Sequence, residues 1–326
     1  MPKVSEVHPS LYHYTTGQGL LGILESQQLH ATNIAYLNDS EEFVGYLTRR
    51  LPTLIDRWAL ECLASLSQYQ TLPNVEIDSI ANRFSADFQK AVRRVQQKYD
   101  DPYVISFSAH APPKDPPNDG LLSQWRGYGV GGGYAIVFNT AKLESLLVLE
   151  RQTFYHQFLA LCDADYNYHG LVAGADQLPE TIQDENKIKA AIQEFIRTSG
   201  QTELDSLVDP LTQLCLRAKH PGFKEEAEVR IVALRSVPEN WESIKLAGEW
   251  RSQRDIVFRP KGEMLVPYLK LFGHKSLGHA ARLPIDTIIV GPHPEQSTRC
   301  DAVERLLQQC GLDAKVTKSS IPYLPG

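Results

Sequence analysis

The stretch Leu11-Tyr12-His13-Tyr14-Thr15-Thr16 decides the reading of this chain. It is short, aromatic and β-branched, and such residues fill the pleated surface of a strand. Gly17 breaks the run, and Gly19-Leu20-Leu21-Gly22-Ile23-Leu24 follows as a buried amphipathic helix. His13 is therefore expected in mid-strand, close to a strand-to-helix junction of the kind where α/β folds place ligands. Taken alone, a histidine among tyrosines reads more readily as a core residue bonded to backbone. The rest of the chain has to decide between the two.

Working outward, the 326 residues suffice for one large domain or two modest ones, and the 42% of apolar residues supplies a sizeable core. A net charge of −6 argues against a global footprint for nucleic acid and leaves room only for a local basic cleft. No apolar run approaches a membrane span, and Met1 to Glu6 lacks the apolar core of a signal peptide. Cys62, Cys162, Cys215, Cys300 and Cys310 are scattered without C-x-x-C spacing, and the histidines lack metal-ligand spacing. Neither a metal nor a disulfide framework is expected, no membrane is implied, and the expected location is cytoplasmic. No G-x-S-x-G, H-E-x-x-H or activated-cysteine motif is present.

Along the chain, a second strand is expected near Leu29 to Thr32, with an N-cap at Asp39 or Ser40 and helix to about Leu66. Val75 to Tyr99 reads as helix, stopped by Asp101-Pro102. Tyr103 to Ser108 reads as a strand, followed by a proline-rich loop from Ala111 to Gly120. Gly131-Gly132-Gly133 is a turn before the strand Tyr134 to Phe138, since it lacks the strand–loop–helix context and Lys-Ser/Thr ending of a phosphate loop. Residues 141–222 read as a helical insertion, with helices at Thr140–Leu149, Pro179–Arg197 and Thr202–Lys219. Strands return at Phe223 to Leu234, Ile256 to Phe258 and Met264 to Leu269. The C-terminus reads strand–helix–strand, with Gly311 closing the helix. The expected organisation is a single domain, 1–326, with a core of 8–140 and 223–326 and the insertion at about 141–222.

Three further stretches carry candidate chemistry. In Glu225-Glu226-Ala227-Glu228-Val229-Arg230, strand alternation puts Glu226, Glu228 and Arg230 on one face. Carboxylates that close repel one another, which points to a site. The plain alternative is a charged, solvent-facing strand edge. In Ser106-Phe107-Ser108 both hydroxyls share a face and can order a glutamate or a ribose, although alternation alone also explains them. Trp125-Arg126-Gly127-Tyr128 offers an indole, a guanidinium and a phenol, suited to a base and a pyrophosphate. The competing account is a core Trp125 and Tyr128 with a surface Arg126.

Taken in order, Tyr12-His13-Tyr14-Thr15, Tyr36-Leu37-Asn38-Asp39, Ser106-Phe107-Ser108, Leu121 to Gly129, Glu228-x-Arg230, Ile289-Val290-Gly291-Pro292 and Ser320-Ile321-Pro322-Tyr323 resemble the family called domain of unknown function 2971. More distantly, a strand His, then a strand hydroxyl, then a strand Glu resemble the ADP-ribosyltransferase superfamily. That resemblance implies an α+β fold with a mixed or antiparallel β core and flanking helices. It implies NAD as substrate, with no metal. His13 would bind the adenosine-side ribose, aided by Tyr14, Thr15, Trp125, Arg126 and Tyr128. The second-strand hydroxyl would be Ser106 or Ser108, with Tyr128 or Tyr134 as alternatives. Glu228 would be the catalytic carboxylate and Glu226 its companion.

The expected activity is transfer of ADP-ribose to a macromolecular acceptor, or hydrolysis of NAD, in a toxin or phage-defence setting. Breaking the nicotinamide–ribose bond builds oxocarbenium character, which a carboxylate stabilises most in the transition state. The rival is a non-catalytic nucleotide- or protein-binding module of the same fold, with Glu226, Glu228 and Arg230 as a salt-bridged strand. Transfer of a phosphate from RNA fits less well with the acidic net charge. The enzyme reading requires His13, Ser106 and Glu228 to line one cleft.

Overall fold

A computed structural model describes residues 3–37, 46–66, 69, 72–97, 100–109, 119–128, 130–166, 178–273, 275–277 and 282–322. The N-cap expected at Asp39 or Ser40 and most of the proline-rich loop lie outside them. The opening stretch forms β1 (Ser10–Thr15), followed by the helix Gly17–Ser26. The Thr16 hydroxyl accepts from the Gly19 amide and caps that helix, which accounts for the abrupt switch from period 2 to period 3.6.

The remaining strands are β2 (Leu29–Asn33), β3 (Tyr103–Ser108), β4 (Tyr134–Asn139), β5 (Phe158–Asp163), β6 (Glu228–Leu234), β7 (Ile256–Lys261), β8 (Met264–Leu271), β9 (Ile285–Val290) and β10 (Lys315–Lys318). They form a ten-stranded sheet in the order β10-β9-β4-β1-β3-β2-β8-β7, with β6 pairing β3 and β5 off that path. Only β9 and β10 run parallel among these pairs, as a strand–helix–strand connection requires. The fold is thus mixed α+β, with a mostly antiparallel sheet and flanking helices.

The sheet forks at β3. β6 takes one edge of β3 along its whole length, from Tyr103↔Ala233 to Ser108↔Glu228. The other edge is shared: β1 meets it only at Tyr12↔Ser108, and β2 only at Val104 and Tyr103. Between those contacts, no strand among the described residues pairs with Ile105 to Phe107 on that side. A backbone edge left open inside a sheet must find other partners, which makes the fork a natural place for a side chain or a ligand.

One face of the sheet carries Phe107, Ile136, Phe138, Val229 and Ile231, packed under the helices Gly17–Ser26, Thr140–Thr153 and Gln296–Cys310. A separate helical core joins Leu51–Ser65 and Asn74–Gln96 to Pro179–Arg197 and Val208–Arg217. Two departures from the sequence reading follow. Residues 141–222 are not wholly a helical insertion, because β5 lies within them and pairs with β6 from Phe158↔Leu234 to Asp163↔Val229. β6 is no strand edge either. It lies between β3 and β5 and is buried at every residue, which its charged start Glu228-x-Arg230 concealed.

Candidate functional site

His13 stands at the fork. Its Nδ1 lies 3.1 Å from the Ser106 carbonyl oxygen, and its ring packs 5.7 Å from that of Phe107. A carbonyl can only accept, so Nδ1 carries the proton. Burial lowers the imidazole pKa, with the Ser106 carbonyl opposing in part, so the ring is neutral at pH 7. Nε2 is then a bare acceptor, and among the described residues it makes no hydrogen bond. The ring substitutes for the missing strand partner of β3 and leaves one acceptor facing the fork. The Ser106 side chain is exposed on the opposite face of the sheet, and Thr15 is half-buried.

The acidic stretch is built differently from the expectation. The strand begins only at Glu228. Glu226 ends a short 3-10 turn, Pro221–Glu226, and Ala227 turns the chain through a left-handed φ of 41°. Lys219 reunites the two carboxylates: its Nζ lies 2.8 Å from Glu226 and 2.6 Å from Glu228. Arg230 grips Glu228 with two further bonds, from Nε at 2.8 Å and from its second guanidinium nitrogen at 2.9 Å. Arg230 also donates to the Leu216 carbonyl, and the Glu228 amide donates to the Tyr166 hydroxyl at 2.7 Å. Glu228 is only 5% exposed. Burial alone would raise its pKa, but Arg230 and Lys219 override it and bring the carboxyl down to about 2. Among the described residues, Lys219 and Arg230 thus offset the charges of Glu226 and Glu228.

Pairing register separates the candidates. Ser108 faces Glu228, Ser106 faces Arg230 and Tyr12 faces Ser108, so these five share one sheet face. Ser108 is committed there, donating its hydroxyl to the Glu226 carbonyl at 2.6 Å. By alternation His13 points to the other face, on the Phe107 side. The structure therefore brings Ser108, Glu226, Glu228 and Arg230 together, and brings His13 to the Ser106 backbone. It does not bring the His13 ring and the Glu228 carboxylate onto one face.

The aromatic candidates divide in the same way. Tyr14 is buried, and its hydroxyl accepts from the Leu121 amide at 2.8 Å. Trp125 is 1% exposed, meets Tyr14 edge to face at 4.9 Å and donates its indole N–H to the Asp119 carbonyl. Neither ring is open to a base; they hold the helix Leu122–Tyr128 against β1. Gly120 makes that packing possible. It has a φ of 78°, and a Cβ there would lie 2.8 Å from the Trp125 indole and 2.9 Å from the Tyr14 hydroxyl. Arg126 and Tyr128 are exposed on the same helix, and Tyr134 is half-buried.

Lys219 and Tyr166 escaped the sequence reading, because neither lies in a strand and nothing in their spacing ties them to Glu228. A second buried network escaped it too. Glu150, fully buried, takes two 2.6 Å bonds from Arg254, one from His156 at 3.3 Å and one from the Phe272 amide. Among the described residues no group of three or more His, Cys, Asp or Glu is placed to hold a metal, and no helix is long and apolar enough to cross a membrane.

The family model described as protein of unknown function (DUF2971) matches residues 124–231, a span from Trp125 through the Glu228 cluster. It supports the family resemblance that the motifs carried. No curated protein matches the chain.

Proposed function

We propose that this DUF2971 chain is a nucleotide-binding protein of ADP-ribosyltransferase-like layout that holds its ligand at the fork of the sheet without cleaving it. The observation that carries the reading is the neutral His13, fixed by the Ser106 carbonyl where β3 lacks a strand partner. Its bare Nε2 can accept from a ribose hydroxyl on the Phe107 side of the sheet. NAD is the nucleotide that the superfamily resemblance nominates.

The same geometry weighs against a catalytic Glu228. A carboxylate lowers the barrier of an oxocarbenium step through its uncompensated negative field. Here two cations sit within 2.9 Å of Glu228 and cancel that field before any substrate arrives. Its side chain also faces away from the His13 side of the sheet. This favours binding over transfer of ADP-ribose.

The test is calorimetric titration of purified protein with NAD and with ADP-ribose, beside a nicotinamide-release assay run with and without cell lysate. Binding of either ligand, weakened at least tenfold in His13→Ala and with no nicotinamide released, supports the proposal. Release that disappears in Glu228→Gln overturns it in favour of the transferase. An absence of binding to both ligands overturns the nucleotide site itself.

A further inference from the structure

A second polar surface lies across the sheet, on β2, β8 and β7. Register places His30 opposite Lys270, Thr32 opposite Tyr268, Tyr268 opposite Val257, and Val266 opposite Arg259. Alternation sends His30, Thr32, Tyr268, Lys270 and Arg259 to a single face. His30 stacks on the Tyr268 ring at 4.3 Å and 37°. The Arg259 guanidinium lies 5.7 Å from the same ring and donates to the Thr32 hydroxyl at 3.1 Å. His30 and Arg259 are exposed, and Lys270 is half-buried.

The charge of this face is unbalanced. Among the described residues, neither Arg259 nor Lys270 has a carboxylate within ion-pair distance. Burial of the His30 ring, aided by the two nearby cations, lowers its pKa to about 4, so the ring stays neutral. Like charges brought together across strands oppose folding, and this chain is acidic, with a net charge of −6 and ample carboxylates to spare. A cationic face left unneutralised in such a chain is suited to an external polyanion. The Arg259 guanidinium reaches Thr32, which lies opposite Tyr268 and two residues from the level of Lys270, so the two cations are offset by roughly 7 Å along the strands. That separation suits successive phosphates of a chain better than one phosphate group. Opposite Lys270 lies an exposed neutral imidazole backed by tyrosine, a flat surface on which a base can stack. β7 ends the sheet path, so a strand of nucleic acid can cross the face without meeting a further β-strand there.

We propose that the β2–β8–β7 face binds single-stranded nucleic acid, with Lys270 and Arg259 on phosphodiesters and the His30–Tyr268 stack beneath a base. This surface is separate from the nucleotide fork and does not depend on it. RNA and DNA share the recognised chemistry, so both serve as probes.

The test is fluorescence anisotropy with labelled twelve-nucleotide single strands of RNA and of DNA, titrated with the full chain at several salt concentrations. Two phosphate contacts predict a log–log salt slope of about −1.4, and Lys270→Gln or Arg259→Gln each shallows it by about 0.7. His30→Ala weakens binding several-fold without changing the slope, because stacking is not a counterion effect. His30 and Arg259 are exposed and Lys270 is half-buried, and unchanged unfolding curves check that the variants fold. Binding of either oligonucleotide with these slopes supports the proposal. Absence of binding at 50 mM salt, binding indifferent to both glutamine variants, or equal affinity for polyglutamate overturns it.

Discussion

Replacing Glu228 by glutamine is expected to cost stability, because the carboxylate is the negative partner of two buried cations. Its pKa falls from the ordinary 4.5 to about 2 in the folded chain. At about 1.4 kcal/mol per unit this is on the order of 3 kcal/mol of stability at neutral pH. The general cost of removing one member of a buried ion pair, about 3–5 kcal/mol, agrees. Glutamine keeps the shape but turns an amide donor toward Arg230 and Lys219, which are donors themselves. In a chain this size the loss corresponds to a fall in Tm of roughly 4–7 °C. The assay is urea and thermal unfolding of both proteins across pH. The folded pKa is depressed, so the contribution is complete above the unfolded value of 4.5 and fades as pH falls through 2. The gap between wild type and variant should therefore narrow over that window. Equal stability at pH 7, within about 1 kcal/mol, or a gap that does not respond to acid, would refute the structural role of Glu228 and reopen its catalytic one.

Other expectations follow from the same packing. Glu150→Gln strands Arg254 in a fully buried site and should cost about 3–5 kcal/mol in urea unfolding. Gly120→Ala forces a left-handed backbone and a clash with Trp125 and Tyr14, so a thermal melt should show a loss of about 1–3 kcal/mol. His30 should titrate near pH 4 by NMR, and a midpoint above 6 would contradict the burial of its ring and the cations beside it. Its depressed folded pKa also means that protonating the unfolded chain lowers stability as pH falls from 6.5 toward 4.

Much of the fold was legible because its elements obey one period at a time. The switch from alternation in Leu11 to Thr15 to a helix after Gly17 gave β1 and the helix Gly17–Ser26, and the helix Pro179–Arg197 was bounded by its own proline start. β5 was missed because Phe158-Leu159-Ala160-Leu161-Cys162-Asp163 lies in a segment read as helical, and only pairing with β6 fixes it as a strand. β6 was placed at an edge because Glu228 and Arg230 looked solvent-facing. Their charges are instead satisfied by each other and by Lys219, which stands nine residues earlier in a loop that carries no signal. The site was legible as a set of residue types but not as a geometry. Strand alternation gave Ser106 and Ser108 one shared face and Glu226, Glu228 and Arg230 another, but the joining of the two strands and the side taken by His13 depended on a register that no local pattern encodes.

The central claim concerns the fork between β1 and β3, and the most direct measurement is the heat of NAD titrated into the wild-type chain and into His13→Ala, with free nicotinamide assayed in the same cell afterwards. The account predicts a saturable heat that His13→Ala reduces at least tenfold in affinity, and no nicotinamide. A flat titration, or nicotinamide produced by wild type and abolished in Glu228→Gln, would contradict it.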